Sequence, residues 1–337
     1  MEIDSISESI KDSFFRDMTN LSFNSLFHVP KEYLVGEKRL FGTYYIPYLS
    51  EMIGLEDKKK IVEIGNAFIF GRAFVISQDQ ILDNKERPNI DYLLLSPLLL
   101  KEFIVKLQVL IKKFNLEKEV KEILLDSITA NKKEQEEHKN KITPYTKNDL
   151  ENLYFKTGIV GLLPLIICSL INKPLYKDPS ILIARSLLVC VQICDDLSDV
   201  AEDYNSKNFT FPVTHGILLS KKGKMSMENM YEGLLLSGLL EFLCNFIITT
   251  LDKITKEIKK ISNEKCQMEL YTLNLRNYIK KILEEIDEIK TKKEIPINYN
   301  DDFLKLKPLE ESKDYSSIIP LLKKFEPANI APNKLTK

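Results

Sequence analysis

The sequence predicts an all-α protein, and three observations carry that expectation. Residues Ile61, Ile64, Phe68, Gly71, Phe74, Val75 and Ile81 hold helical periodicity over a long stretch. Only 11 glycines and no tryptophan stand among long segments of Leu, Ile, Lys and Glu, a composition that suits helices. The strongly apolar runs at 159–171 and 181–194 fall short of the roughly 20 residues that span a bilayer, so each reads as a buried core helix and no transmembrane segment is expected.

At 337 residues the chain is long enough to bury a substantial core. A formal net charge of -1 gives no field that would steer the whole molecule to nucleic acid. Five cysteines without CxxC spacing, four of them in apolar surroundings, read as reduced thiols of a cytoplasmic protein. The acidic, polar N-terminus does not read as a signal peptide. No repeat and no linker divides the chain, so residues 1–290 are expected to form one helical domain. Residues 291–337, rich in Lys and Pro, read as a loose C-terminal extension.

In chain order, residues 5–28 suggest one or two amphipathic helices, and Gly36-Glu37-Lys38-Arg39 then leads into the apolar stretch 40–53. A glycine and two basic residues at a helix entry could hold an anion or be plain solvated charge. Residues 58–82 form a helix ending near Asp79 and Asp83, four apart, with Arg87 and Pro88 beyond. Those two carboxylates could share a cation or cap the turn before the proline. Helices are expected at 92–114 and 116–130, then a polar helix end and a loop through 148. His138 in that stretch reads as solvated, and without a second His or Cys at ligand spacing zinc is not expected. Lys156 opens a strongly apolar helix, where it must find an anion or snorkel to water. Residues 225–290 suggest two or more long helices with solvated lysines.

The most informative stretch is 192–203, which follows an apolar run. On one continuous helix, Asp195, Asp199 and Asp203 at i, i+4 and i+8 share a face, flanked by Asp196 and Glu202. Stacked like charges destabilise a bare helix. They either form a solvated acidic end or hold a hard cation such as Mg²⁺, which takes carboxylates together with substrate phosphates. Two acid-tipped apolar helices with nearby lysines make a site for a greasy molecule with a polyanionic head, such as a diphosphate on a hydrocarbon chain.

Four motifs in order make the chain resemble the trans-isoprenyl diphosphate synthases and the wider class I terpenoid synthase superfamily. Gly36-Glu37-Lys38-Arg39-Leu40 resembles GGKRxRP, and Asp79-Gln80-Ile81-Leu82-Asp83 resembles the first aspartate-rich motif, DDxxD. Lys156-Thr157-Gly158 resembles KTG. Residues Gln192 through Asp203 resemble QxxDDxxDxxxD, with Lys207 and Phe209-Thr210-Phe211-Pro212 similar to the closing KxTxP. The resemblance implies a helical bundle of the isoprenoid synthase type with a central apolar cavity, a homodimer, and the use of three Mg²⁺ ions with a bound diphosphate. It implies that Asp79, Asp83, Asp195, Asp196, Asp199 and Asp203 hold the metals, with Gln192 supporting Asp195. Lys156, Thr157 and Lys207 would contact the allylic diphosphate, and Lys38, Arg39, Arg72 and Arg87 the isopentenyl diphosphate. Phe74, five residues before Asp79, would floor the cavity and limit the product to about C10 to C20, unless it simply packs in the core.

The sequence departs from that pattern at Gln80, which replaces the second aspartate, and at Phe41-Gly42, which replaces Arg-Pro. A single arginine, Arg87, stands where the family has a pair. These losses fall mostly on the acceptor half of the site. They weigh more against isopentenyl addition than against ionisation, but Lys38, Arg39, Arg72 and Arg87 still provide for a second diphosphate, which a terpene cyclase does not need. A prenyltransferase condensing an allylic diphosphate with isopentenyl diphosphate is therefore expected first. A class I terpene synthase acting on geranyl, farnesyl or geranylgeranyl diphosphate is expected second, and a non-catalytic partner subunit third.

Overall fold

A computed structural model describes residues 2–20, 41–83, 90–138, 141–156, 158–220, 225–295, 302–306 and 317–335. Among them every regular element is helical, with no strand. The elements are α1 (Ile3–Asn20), α2 (Phe41–Ile53), α3 (Lys58–Asp83), α4 (Ile90–Lys113), α5 (Glu117–Glu137), α6 (Lys147–Lys156) and α7 (Gly158–Leu170). After a short 3₁₀ turn come α8 (Lys177–Ser198), α9 (Val200–Asn205), α10 (Phe211–Leu218), α11 (Met227–Leu236), α12 (Leu239–Ile261) and α13 (Gln267–Lys292). The short α14 (Ile318–Leu322) and α15 (Pro332–Leu335) follow.

The most apolar of the shorter helices, α7, lies where several longer ones meet. It packs on α2, α3, α5 and α8, and Leu162, Leu163, Leu165, Ile166 and Ile167 are all at most 2 % exposed. Each such side chain contributes about 1.5–3 kcal/mol by leaving water, so a helix apolar all round is stable only inside the fold. Around it, α3 pairs with α1 and α4, and α8 packs on α12, which in turn packs on α13. The two helices that carry the aspartate motifs, α3 and α8, are thus both neighbours of α7.

One described helix stretch, Lys58–Gln78 in α3, is long and apolar enough to cross a membrane, and 67 % of its apolar window is buried inside the fold. The bent pairs α6–α7 and α11–α12 reach that measure only if each is counted as a single span.

The expectation of a loose C-terminal extension fails for its described parts. Ile318, Leu321, Leu322, Phe325 and Ile330 join the main core, and Phe303 packs edge-on against Phe211 at 5.1 Å. The Tyr271 hydroxyl donates to the Ile330 carbonyl at 3.0 Å, and Tyr278 donates to the Lys324 carbonyl at 2.9 Å. Lysine and proline content foretold looseness, but an apolar residue every few positions supplies enough burial to hold the segment. All five cysteines are buried free thiols.

A fully buried ion pair joins the first turn of α12 to the last turn of α13, Glu241 to Lys290. Burial pushes the Glu241 carboxyl up from its ordinary value, and the Lys290 ammonium opposes that push. Each charge also stands at the favourable end of its helix dipole. Removing one partner leaves the other charged and dry, so Lys290→Met is expected to cost about 3–5 kcal/mol in urea unfolding. The double variant Glu241→Leu/Lys290→Met is expected to recover most of that loss.

Candidate functional site

The site region is built around a break between α6 and α7, whose axes diverge by 53°. A break strands a backbone carbonyl that the helix would have satisfied. Here the freed carbonyl of Lys156 accepts from Ser127 Oγ at 2.9 Å and from Asn131 Nδ2 at 3.1 Å, both on α5. Gly158 lets α7 come this close. A Cβ there would stand 2.5 Å from Ser127 Cβ and 2.7 Å from the Ile123 carbonyl, too near for any other residue without displacing α5.

Lys156, in the last turn of α6, neither snorkels to water nor stands free. Its Nζ pairs with Glu134 of α5 at 2.7 Å, in a small pocket also lined by Lys133, His138, Tyr145, Asp149 and Asn152. The pocket has a volume of about 20 Å³, room for roughly one water.

The aspartate stretch follows the expected face with one interruption. α8 stops at Ser198, Asp199 caps it with φ −100° and ψ 9°, and α9 resumes at Val200. The i to i+4 ladder nonetheless continues, because Asp199 N–H donates to the Asp195 carbonyl at 3.0 Å and Asp203 N–H to the Asp199 carbonyl at 2.8 Å. Asp195 and Asp196 are half-buried, whereas Asp199 is exposed and accepts from the Ser198 hydroxyl at 2.9 Å. Gln192 Nε2 donates to Asp196 Oδ1 at 2.7 Å. The amide donor expected to support Asp195 thus goes to Asp196, its i, i+4 neighbour. Asp203 has both oxygens in the following loop, accepting from Asn208 Nδ2 at 2.8 Å and Thr210 Oγ1 at 3.1 Å. Lys207, exposed in that loop, holds a left-handed backbone at φ 56°.

Of the other expected residues, Asp79 and Asp83 stand in the last two turns of α3, where their side chains lie outside the described residues. Arg72 and Phe74 are half-buried on the same helix, and Phe74 packs against the core. Lys38, Arg39, Arg87 and Thr157 lie outside the described residues.

Tyr145 is the junction between the pocket and the aspartate end of α8. Its ring stacks on His138 at 3.8 Å and meets Phe211 edge-on at 5.4 Å. Its hydroxyl donates to the Phe209 carbonyl at 3.2 Å. Burial pushes that phenol well above its ordinary pKa, and the charges of Glu134, Asp196, Asp149 and Asp203 all add to the push. These carboxylates from four helices therefore act on one point. Sequence reading missed Glu134, Tyr145 and Asp149; the Thr146-to-Asp149 spacing of a capping box was the available signal. His138, expected to be solvated, is 3 % exposed, because its ring lies flat on Tyr145 and its Nδ1 lies 3.3 Å from the Thr143 carbonyl.

Compared with known proteins, the chain matches no family model, no curated protein and no solved structure.

One titration follows from the junction. His215 Nε2 accepts the Tyr145 backbone N–H at 3.1 Å, so the imidazole is neutral there. Burial first, and the nearby His138 second, lower its pKa from 6.5 to about 4. A histidine depressed in the folded state contributes no penalty above its unfolded pKa and costs stability as pH falls from 6.5 toward 4. The expected loss is about 3 kcal/mol across that window. Denaturant unfolding at a series of pH values is expected to show this slope, and His215→Phe to flatten it.

Proposed function

We propose that this chain is a magnesium-dependent prenyltransferase that ionises an allylic diphosphate and condenses it with isopentenyl diphosphate to a short-chain prenyl diphosphate. The observation that carries the reading is the carboxylate array at the C-terminal end of α8. Asp195, Asp196 and the exposed Asp199 stand where the helix dipole disfavours anions, an arrangement that a bound cation relieves. The donors are all oxygen, the set suited to Mg²⁺. Asp79 and Asp83, at the C-terminal end of α3, supply the matching pair in this reading.

Bound magnesium would supply charge stabilisation for the departing pyrophosphate. The chain's own residues do the rest. Asp195 and Asp199 offer the primary carboxylates, and Gln192 fixes the orientation of Asp196. Asp203, tied to Asn208 and Thr210, holds the loop that presents Lys207. Lys156 turns from Glu134 to the diphosphate, with Thr157 beside it. Lys38, Arg39, Arg72 and Arg87 serve the isopentenyl diphosphate, and Phe74 limits chain length. The allylic C–O bond breaks, the isopentenyl double bond attacks the resulting cation, and a proton is lost. Gln80 favours a second reading, a class I terpene synthase, since it weakens one metal face without touching the apolar interior.

Incubation with geranyl or farnesyl diphosphate and Mg²⁺, with and without isopentenyl diphosphate, separates the two. The elongated diphosphate is expected, with activity abolished by EDTA and reduced by a factor of about a hundred or more in Asp195→Ala. Release of hydrocarbon or alcohol without isopentenyl diphosphate would establish the terpene synthase instead, and turnover unchanged in Asp195→Ala would defeat both readings.

The proposed enzyme is a homodimer. Leu93, Leu94, Val105 and Val109 of α4 and Leu125 and Ile128 of α5 are each at least 49 % exposed, an apolar surface suited to a second copy. Light scattering behind size exclusion is expected to give twice the chain mass, and Val109→Asp/Ile128→Asp to give monomers.

A further inference from the structure

The pocket beside Lys156 holds a second constellation, independent of the aspartate motifs. Donor atoms of Glu137, His138 and Asp149 all lie within 4.8 Å of one another. Glu137 is the last residue of α5, His138 caps that helix, and Asp149 stands in the first turn of α6. The loop between them folds back because Thr146 and Asp149 cap each other. Thr146 N–H and its hydroxyl donate to Asp149 Oδ2 at 2.8 and 2.7 Å, and Asp149 N–H returns a bond to Thr146 Oγ1 at 3.3 Å.

Within this cluster one atom lacks a partner. His138 Nδ1 lies 3.3 Å from the Thr143 carbonyl, an acceptor, so Nε2 is the ring nitrogen turned to the cluster. Nε2 is buried without a hydrogen bond, on a side chain 3 % exposed, and looks at Asp149 Oδ2 from 3.5 Å. Asp149 Oδ2 already accepts from Thr146, and the gap between it and Nε2 borders a pocket with room for about one water, where an electropositive guest would meet both atoms. The gap is compatible with the separation of two donors on a tetrahedral zinc ion, roughly 3.3–3.5 Å for bonds near 2.0–2.2 Å.

We propose that Glu137, His138 and Asp149 form a zinc-class divalent cation site that clamps the end of α5 onto the start of α6. The mixed nitrogen and oxygen donors distinguish it from the all-oxygen magnesium face. The surroundings are those of a ligand shell. The remaining ring nitrogen faces a backbone carbonyl, the arrangement that orients metal-bound histidines. Tyr145 fixes the ring plane, and Lys133 donates to Asp149 Oδ1 at 2.7 Å, offsetting the excess carboxylate charge. The Thr146 hydroxyl, able to rotate toward other acceptors, frees room on Oδ2. The fourth position opens on the pocket, which has space for a water. The site's role is to hold the loop that carries Tyr145, and with it the wall behind Lys156.

The test is zinc uptake by the full chain stripped with EDTA, titrated calorimetrically in a large excess of Mg²⁺ that saturates oxygen-only sites. One Zn²⁺ per chain is expected, with affinity lowered about tenfold or more in both Glu137→Gln and His138→Phe. Co²⁺ in place of zinc is expected to give the visible bands of a four-coordinate ion. His138→Phe keeps the stacking on Tyr145; should it fail to fold, the surface variant Glu137→Gln carries the test alone. Asp195→Ala is expected to bind zinc normally, which keeps this site separable from the proposed catalytic one. No uptake in excess Mg²⁺, or equal uptake by wild type and a folded variant of either ligand, overturns the proposal.

Discussion

The carbonyl of Lys156 is the small constraint from which the site region follows. Because the helix breaks, that carbonyl needs donors, and α5 supplies two, Ser127 and Asn131. The two bonds lock α5 to the break, and Gly158 removes the side chain that would hold them apart. With α5 so placed, Glu134 lies one turn beyond Asn131 and meets Lys156 at 2.7 Å. His138, a further turn along, arrives beside Asp149. Contacts at successive turns of α5 thus line up beside one freed backbone group, whose burial without a partner would cost about 1–3 kcal/mol.

The same geometry explains why charge gathers here without unfolding the bundle. Glu134, Asp149, Asp196 and Asp203 all raise the Tyr145 phenol, so the region is strongly negative. Lys133 and Lys156 each answer one carboxylate directly. Burial alone would raise the Asp149 carboxyl, yet bonds from Lys133 and Thr146 hold it at about 2. At the α5–α6 side the lysines answer Glu134 and Asp149, while the face of Asp149 toward His138 stays open to a cation. Among the described residues, the Asp199 side chain is exposed and bonded to a neighbouring hydroxyl, and its helix dipole adds to the repulsion, so a cation is favoured at the end of α8 as well.

Legibility in the sequence divided along the same line. Helix positions were readable because period and burial agree: α3 runs Lys58–Asp83 where the apolar spacing put a helix at 58–82. The placement of Asp79, Asp83 and Asp195 at helix C-terminal ends was equally visible, as was the solvated row Lys253, Lys256, Lys259 and Lys260. Contacts across helices were not. Glu134 and His138 sit in a run of charged residues that reads as surface, and only the crossing of α5 with α6 turns one face of that run inward. The C-terminal segment misled for a related reason. Its composition is that of a loose chain, but Phe303 and Phe325 find an apolar surface prepared by residues far upstream.

The two cation sites proposed for this protein differ in a way that follows from those origins. The α8 face comes from one short stretch of chain, so its chemistry is written in spacing, with Asp195 and Asp199 four residues apart at the helix end. The Glu137–His138–Asp149 cluster is a product of folding. Its donors come from two helix ends, and its decisive atom is a nitrogen whose burial depends on Tyr145 lying flat against it. A hard ion satisfies the first and a borderline ion the second. Because Lys156 stands between them, paired to Glu134 in the same pocket as His138, a cation at the folded cluster would stiffen the wall from which that lysine must turn. In the proposed function, coupling between the sites would then reside in the orientation of a single ammonium group, which Glu134 holds in this structure.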